Sequence, residues 1–202
     1  MVKNWRPFLS TPLPEPKKLV KLDLACGQVK KEGFIGVDFV TAPGVDIVHD
    51  LFEFPWPFED ESVEEVHCSH FFEHIPGLLR PKWMDELYRV MIPGGKATII
   101  CPYYSSMRAT QDYTHAWPPI SEASFFYFNK GWREANKLTH GHYDMKCDFD
   151  FGANFSLHPY CNGRSTEFVQ EAVLQKLNAA SDIIVGLIKR PIPDKNPPPP
   201  GS

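Results

Sequence analysis

The fold is decided by the stretch LVKLDLACGQ, residues 19–28, and by the GVD that follows at residues 36–38. A short apolar run that ends in small residues predicts a buried strand, and the small residues let a ligand approach the backbone closely at the strand's carboxyl end. Asp38 closes the next strand, where a carboxylate can accept hydrogen bonds from ribose hydroxyls. We therefore interpret residues 19–38 as the first crossover of a parallel sheet that carries a ligand site at its carboxyl edge.

The spacing of this crossover bears on the kind of ligand. Asp23 and Asp38 are 15 positions apart, fewer than the roughly 20 that are typical of a dinucleotide site. The pattern Gly-x-Gly-x-x-Gly is absent, because Ala25 takes the first glycine position and only Gly27 is kept. A pyrophosphate needs those glycines and a well-presented helix N-terminus. The loop therefore argues against NAD and favours a nucleoside ligand that carries no pyrophosphate.

Beyond this crossover the sequence alternates strands with connections. Short apolar runs predict five strands, at residues 19–24, 34–37, 45–48, 63–68 and 97–101. The last of these is apolar almost throughout, which is typical of a central strand that is buried on both faces of a parallel sheet. Alternation of this kind indicates an α/β fold, and we predict a Rossmann-like three-layer sandwich with a mostly parallel central sheet.

The clearest helix lies between the fourth and fifth strands and is predicted over residues 81–91. Pro81 suits its first position. Four apolar residues recur at helical spacing, and they are Met84, Leu87, Tyr88 and Met91. We expect the turn Pro93-Gly94-Gly95 to end this helix and to reverse the chain into the fifth strand.

The chain changes character after residue 102. A loop rich in Tyr, His and Pro, residues 102–120, leads to an aromatic helix predicted near residues 121–138. Residues 143–160 alternate apolar and polar side chains around Gly152, which predicts an antiparallel C-terminal hairpin at the sheet edge. A long amphipathic helix is predicted over residues 165–189. Its apolar stripe either packs against the sheet or makes a homodimer contact, and it consists of Val169, Val173, Leu177, Ala180, Ile184 and Leu187.

The length of 202 residues suits one well-buried domain. We place this domain at residues 19–190, between an extended N-terminal arm at residues 1–18 and a proline-rich tail at residues 191–202. The N-terminus has no continuous apolar segment typical of a signal peptide, and no apolar run reaches about 18 residues. These features predict a cytoplasmic protein without a membrane partner.

Cysteine and histidine spacing predicts neither disulfides nor a metal site. The five cysteines are odd in number, and none forms a Cys-x-x-Cys pair. Unpaired thiols fit a reducing compartment. The histidines and the cysteine of the C-terminal half match no tight ligand spacing, so we expect no metal at His140, His142, His158 and Cys161.

Five short motifs occur in one order along the first half of the chain. They lie at residues 22–27, 37–38, 46–51, 67–75 and 88–95, and together they span about residues 19–104. In this order and at these distances they resemble the motifs of the class I, Rossmann-like S-adenosylmethionine-dependent methyltransferases. Ala25 stands where that family usually has a glycine, and residues 28–33 are too few for the helix that usually follows its first strand.

The resemblance implies S-adenosylmethionine (S-adenosyl-L-methionine) as the cofactor and a set of residues that bind it. The methionine part would lie against Asp23, Ala25, Cys26 and Gly27. Asp38 would bind the ribose, and Asp50 and Leu51 would contact the adenine. Ser69 and His70 would form the wall beside the sulfonium.

Methyl transfer from a sulfonium imposes few catalytic residues. Its methyl group is already a good electrophile, so an enzyme mainly has to hold the nucleophile in line and exclude water. A general base is needed only when the acceptor must lose a proton. His74, beside Glu73 after the fourth strand, is one candidate, although it could equally cap or pack the following turn. The loop after the fifth strand, unless it is a structural aromatic cluster, offers three more: Tyr104, Asp112 and His115.

These observations predict a methyltransferase with an unidentified acceptor. A net charge of −4 disfavours broad binding to nucleic acid, so a small metabolite, sugar or nucleotide-like acceptor is favoured. Methylation of a nucleic acid or protein would need a basic face near residues 103–140, where the positive charge comes from Arg108, Lys130, Arg133 and Lys137. A third alternative is a catalytically silent binding or assembly protein that keeps the fold as a scaffold.

Overall fold

The computed structural model describes residues 18–138 and 144–191. Nearly all of the predicted N-terminal arm and of the proline-rich tail lies outside the described residues, as do His140 and His142. The proposed limits of the domain, residues 19–190, therefore stay predictions.

One sheet at the centre of the described chain contains seven strands: β1 (Val20–Leu24), β2 (Ile35–Asp38), β3 (Ile47–Val48), β4 (Val63–Ser69), β5 (Met91–Pro102), β6 (Phe149–Leu157) and β7 (Ala180–Lys189). Their order across the sheet is β3-β2-β1-β4-β5-β7-β6. The first five strands pair in parallel, and β7 is antiparallel to both β5 and β6. This arrangement confirms the predicted fold class, a Rossmann-like α/β fold with a mostly parallel sheet.

The described connections contain five α-helices: α1 (Arg80–Val90), α2 (Met107–Gln111), α3 (Ala123–Phe126), α4 (Lys130–Ala135) and α5 (Thr166–Gln175). The helix predicted over residues 81–91 is confirmed by α1, which buries Met84 and Leu87 completely. The aromatic helix predicted near residues 121–138 is wrong in extent, because the segment divides into α3 and α4. Asn129 separates the two, since its backbone is extended and its side chain accepts the Trp132 N–H at 2.8 Å to cap α4.

The Pro-Gly-Gly segment at residues 93–95 lies inside a strand rather than before one. β5 begins at Met91, directly after α1, and Met91 pairs with Val63. The ladder is then interrupted and resumes at Lys96. Proline has no N–H to give to a ladder, so this segment forms an irregularity within β5, and the reversal predicted ahead of the strand is wrong.

The long helix predicted over residues 165–189 is wrong beyond its first half. α5 ends at Gln175, and a turn through Asn178, which has a left-handed φ of 58°, leads into β7. Burial in β7 has the period of two that a strand requires, as shown by Ile183, Val185 and Leu187. Hydrogen-bonded neighbours on both edges, β5 and β6, make this segment a strand. The stripe that suggested a homodimer contact is therefore not one helix face, and its last three residues belong to the sheet.

The predicted antiparallel pair at the C-terminal edge of the sheet is confirmed, but its two strands are distant in sequence. The described part of residues 143–160 contributes β6 alone. The partner of β6 is β7, with Phe149 opposite Lys189 and Leu157 opposite Ala180. Because α5 connects the two strands, tertiary packing rather than a tight turn decides their pairing.

The first crossover contains turns where a helix usually lies. Residues 25–34 run from β1 to β2 without helical structure, as their small number predicts. They pack on Gly44, in the connection between β2 and β3, since a Cβ on Gly44 would lie 2.8 Å from the backbone of Gln28 and Lys30. Gly44 packs in turn on β2, where a Cβ on Gly36 would overlap its carbonyl oxygen. Close backbone packing therefore supports this end of the sheet in place of a helix.

Residues 18–138 and 144–191 were also searched for membrane-spanning helices and for free cysteines. None of their helices is both long enough and apolar enough to cross a membrane. All five cysteines lie within them as free thiols, and four of these thiols are buried.

We expect Gly36→Ala to destabilise the fold strongly, because the added methyl group overlaps backbone that holds the loop between β1 and β2. Overpacking of this kind costs about 3 kcal/mol in the free energy of unfolding, which urea denaturation measures. Gly186→Ala in β7 is the matched control, since its Cβ meets open space and its effect should stay within about 0.5 kcal/mol. Equal unfolding midpoints for the two variants would contradict the packing described for this loop.

Candidate functional site

The carboxyl ends of β1, β2 and β4 meet at one edge of the sheet, and a cavity of about 340 Å³ opens beside them. The strand order reverses between β1 and β4, and ligands of open α/β sheets bind at such a switch point. Pockets for small ligands span roughly 300–1,000 Å³. The lining combines apolar and aromatic side chains with two carboxylates and one imidazole, and consists of Ala25, Asp38, Phe39, Asp50, Leu51, Phe52, Phe71 and His74.

Two buried carboxylates hold the loop between β1 and β2. Asp23, which is 4% exposed, accepts the Lys31 N–H at 2.7 Å and lies 2.7 Å from Nδ1 of His67. Asp38, which is 7% exposed, accepts the Gly27 N–H at 2.9 Å. Hydrogen bonds to an ionised acceptor are the strong ones. Asp23 thus anchors the end of the loop and Asp38 anchors its beginning. Of the two, only Asp38 lines the cavity.

The beginning of this loop has a left-handed backbone, with φ of 55° at Ala25 and 60° at Gly27. Glycine adopts such angles without strain, whereas a larger side chain does so at a cost. Ala25 lines the cavity, so a small side chain stands where a ligand would meet the backbone. Gly27 turns its N–H toward Asp38 instead.

Cys26 lies between these two residues and packs behind the loop. Its sulfur is 3.4 Å from the carbonyl oxygen of Gly44. Burial, followed by the charges of Asp23 and Asp38, raises the pKa of the Cys26 thiol to about 11. The thiol is therefore protonated near neutral pH and behaves as a small apolar group.

β4 ends beside two titratable side chains. His70 has a left-handed φ of 55°, and its Nδ1 is 3.3 Å from Oε1 of Glu73. Burial lowers the pKa of His70 and raises the pKa of Glu73 to about 7, because each charged form loses hydration. Ser69 and His70 precede the lining of the cavity, which on this side begins with Phe71.

A short 3₁₀ helix that ends at His74 contacts the loop that follows β5. The Ala116 N–H donates to the carbonyl oxygen of Glu73 at 2.8 Å. The rings of His74 and His115 meet edge to face, with their centroids 4.9 Å apart. Oδ2 of Asp112 lies 3.7 Å from Nε2 of His115. Three predicted catalytic candidates, His74, His115 and Asp112, therefore lie together, and His74 lines the cavity.

Arg80, at the start of α1, fixes the position of this loop through hydrogen bonds. Its guanidinium donates to the carbonyl oxygens of Ile75 at 3.0 Å, Pro118 at 2.8 Å and Ala116 at 3.2 Å. Hydrogen bonds from a charged donor contribute more stability than neutral ones. This single buried side chain therefore holds the turn after β4 and the loop after β5 against each other.

Asp112 and Tyr104 also have structural contacts of their own. Asp112 accepts the N–H of Thr114 at 2.9 Å and its hydroxyl at 2.6 Å, and these bonds lower the pKa of the Asp112 carboxyl. Tyr104 donates its hydroxyl to the carbonyl oxygen of Leu174 at 3.3 Å. The Tyr104 hydroxyl is therefore engaged in attaching α5 to the domain.

The cavity includes four of the predicted cofactor-binding residues, namely Ala25, Asp38, Asp50 and Leu51. Three aromatic residues of the lining were not predicted: Phe39, Phe52 and Phe71. Each of these directly follows a predicted site residue. The usable signal was clearest at Phe39, a large apolar side chain that is 70% exposed immediately after the acidic residue that ends β2.

Comparison with known proteins agrees with this geometry. Residues 17–99 match the family model described as a methyltransferase domain, and no curated protein matches the chain significantly. A SAM-dependent methyltransferase from Archaeoglobus fulgidus is similar to this chain with a TM-score of 0.58 at 18% identity, over 86% of this chain and 87% of that one. A chain from the complex of the Haloferax volcanii Trm112 methyltransferase activator is similar with a TM-score of 0.53 at 15% identity, over 90% and 86%.

The sheet order and the cavity at its switch point define a Rossmann-like α/β protein with a ligand site at the carboxyl ends of its strands. Residues 17–99 match the methyltransferase-domain family model, and the chain shares its fold with S-adenosylmethionine-dependent methyltransferases. The resemblance of the five motifs to this family is thereby confirmed.

Site-resolved alkylation tests the raised pKa of the Cys26 thiol. At about pH 8 we expect the folded protein to react with iodoacetamide about tenfold more slowly at Cys26 than urea-unfolded protein, because the loss of thiolate outweighs its greater nucleophilicity. The rate should still rise about tenfold per pH unit from about pH 8 to pH 10, whereas unfolded protein levels off near the ordinary thiol pKa of 9.0. Peptide mass spectrometry follows Cys26 alone. A folded-state rate that also levels off near that value would contradict the raised pKa.

Proposed function

We propose that this protein binds S-adenosylmethionine in the cavity at the ends of β1, β2 and β4, and transfers its methyl group to a small-molecule acceptor. The observation that carries the proposal is the position of Asp38, which lines the cavity at the end of β2 while it holds the Gly27 N–H. The methyltransferase domain at residues 17–99 supports it.

The residues around the cavity suit each part of this cofactor. A carboxylate has about four lone-pair sites, so Asp38 can accept hydrogen bonds from a ribose diol and keep its bond to the loop. Leu51 and the rings of Phe39 and Phe52 offer apolar surface to an adenine. Ala25 offers a small side chain where an aminoacyl tail would approach the backbone. In this proposal Asp23, Cys26 and Gly27 shape the loop, and Asp50 flanks the adenine.

When bound, S-adenosylmethionine supplies a methyl group that is already electrophilic, so the chain's own residues have to bind, orient and exclude water. Ser69 and His70 would form the wall that leads to Phe71. An acceptor hydroxyl would in addition require a base. His74, which lines the cavity, and His115, whose ring contacts that of His74, are our candidates for that base.

Two further predicted catalytic residues take different places in the proposal. Asp112, whose Oδ2 lies 3.7 Å from Nε2 of His115, would stabilise the imidazolium that forms when His115 takes up a proton. The hydroxyl of Tyr104 is occupied by the Leu174 carbonyl, so we assign Tyr104 no step in the reaction.

Charge in the region after β5 favours a small acceptor over a nucleic acid. Arg108 pairs with Asp182 at 3.1 Å, and Lys130 lies 3.8 Å from Glu134. Arg133 donates to three backbone oxygens, those of Tyr127, Met145 and Cys147. Because these three cations are engaged within the chain, they offer little to a phosphate backbone.

Calorimetry with S-adenosylhomocysteine tests the cofactor site. We expect wild-type protein to bind in the micromolar range and Asp38→Ala to bind at least about 30-fold more weakly, since hydrogen bonds to a charged acceptor contribute about 2 kcal/mol. Asp150→Ala is the matched control, because it removes an exposed carboxylate on β6 that pairs with Arg190. This variant should bind as wild type does. His74→Ala and His115→Ala should also keep cofactor affinity.

The conservative variant Asp38→Asn separates ribose binding from loop support, because an amide oxygen can still accept the Gly27 N–H. Unchanged affinity in a folded Asp38→Asn or Asp38→Ala variant would refute the placement of the ribose. Wild-type binding no tighter than about millimolar would overturn the enzyme proposal, since cofactor binding at that level corresponds to only about 4 kcal/mol.

The acceptor class is tested by transfer of a labelled methyl group. Protein is incubated with methyl-labelled S-adenosylmethionine and, separately, with a small-molecule extract, with total RNA and with a protein extract. We expect label to enter the small-molecule fraction, and Asp38→Ala to abolish that transfer. Label that enters RNA or protein instead would contradict the proposed acceptor class and leave the cofactor assignment intact.

A further inference from the structure

Three potential metal ligands meet beside the cavity, and we name them the Glu-His-His cluster: Glu73, His74 and His115. The first two end the 3₁₀ helix after β4, and the third lies in the loop after β5. One ligand atom from each lies within 4.8 Å of the other two. Metal–ligand distances are about 2.0–2.2 Å for nitrogen and oxygen, so small side-chain rotations suffice to place one ion between the three.

Both imidazoles of the cluster are oriented by backbone carbonyls. Nδ1 of His74 is 3.3 Å from the carbonyl oxygen of Thr114, and Nδ1 of His115 is 3.3 Å from that of Ala109. Because a carbonyl only accepts, each Nδ1 carries the proton and each Nε2 presents its lone pair. Outer hydrogen bonds of this kind fix the tautomer and the ring orientation of metal-binding histidines.

The third member is a buried carboxylate with one unused oxygen. Glu73 is 4% exposed, and its Oε2 is buried without a hydrogen-bond partner among the residues that the structure describes. Its Oε1 lies 3.3 Å from Nδ1 of His70. An unpaired buried acceptor costs free energy, and more so when it is charged. A cation held between this oxygen and two imidazole lone pairs would remove that cost.

A second carboxylate lies beside one member of the cluster. Oδ2 of Asp112 lies 3.7 Å from Nε2 of His115. Two acceptors in this arrangement are stabilised by a positive charge between or beside them. The surroundings of the cluster are therefore suited to a cation on more than one side.

We propose that the Glu-His-His cluster binds one divalent transition-metal ion. Two imidazoles and a carboxylate suit Mn²⁺, Fe²⁺, Co²⁺ or Zn²⁺ better than Mg²⁺ or Ca²⁺, which prefer oxygen ligands throughout. Three protein ligands leave coordination positions open, as in catalytic rather than structural metal sites. The expectation from sequence that the chain holds no metal is therefore replaced by a specific site.

The ion would adjoin the cavity, because His74 belongs both to the cluster and to the lining. Its open positions suit an acceptor that offers a hydroxyl or carboxylate oxygen, and a bound cation lowers the pKa of a coordinated hydroxyl. In the metal-bound protein the ion would therefore take the place of an imidazole base, since both Nε2 lone pairs are bound to it. This class of acceptor rests on the proposed function, whereas the ion site stands on the cluster alone.

Cobalt(II) is the probe for this site, since its visible absorption reports the ligands around it. Tag-free protein is treated with EDTA, dialysed and titrated with cobalt chloride near neutral pH. We expect one equivalent to bind with micromolar affinity, and Glu73→Gln and His115→Ala to bind at least about tenfold more weakly. His158→Ala removes a histidine outside the cluster, at the start of another 3₁₀ helix, and should bind cobalt as wild type does.

Each variant is checked by circular dichroism and by its affinity for S-adenosylhomocysteine without metal. If His115→Ala fails to fold, Glu73→Gln still tests whether the cluster binds cobalt, because it keeps the shape of the side chain and replaces the carboxylate with an amide. Wild-type protein that binds no cobalt up to about millimolar concentration, cluster variants that bind like wild type, or a near-ultraviolet thiolate band would each overturn the site. Cobalt binding is read without cofactor, so loss of S-adenosylhomocysteine binding alone affects only the proposed function.

Discussion

Two buried carboxylates, Asp23 on β1 and Asp38 on β2, hold a loop that has no helix to support it. Asp23 accepts from Lys31 and Asp38 accepts from Gly27, so the two ends of the loop are bonded to the tips of the strands that it connects. Charge-assisted hydrogen bonds are strengthened where water is excluded. The position of Ala25, and with it one wall of the cavity, follows from these contacts, and the absence of a Cβ at Gly36 lets Gly44, which packs on the same loop, approach β2 closely.

The segments after β4 and β5 depend on another buried charge, that of Arg80. Arg80 at the start of α1 donates to carbonyl oxygens on both sides of the site, which fastens the loop after β5 onto the turn after β4. This contact brings His115 against His74 and leaves Glu73 buried between the two segments. The side chains that line the cavity and those of the Glu-His-His cluster are therefore positioned by the same buried charged groups rather than by long helices.

The first half of the fold could be predicted because its signals are local. Each of the first five strands is a short apolar run, and α1 shows apolar residues at helical spacing with Pro81 in its first turn. The segment at residues 180–189 carries apolar residues that satisfy a helical stripe and a strand alternation equally well. Only its neighbours β5 and β6, which lie far from it in sequence, settle its conformation, and no property of the segment by itself contains that information.

Residues that are close together along the chain were enough to predict the parallel sheet, the crossover without a helix, and the acidic and small residues at the tips of β1 and β2. The folded chain was needed to show that β7 is a strand, that Phe39, Phe52 and Phe71 line the cavity, and that His115 meets Glu73 and His74. The physical reason is that side chains from separate loops converge through sheet order and buried hydrogen bonds, and neither is visible in residue spacing.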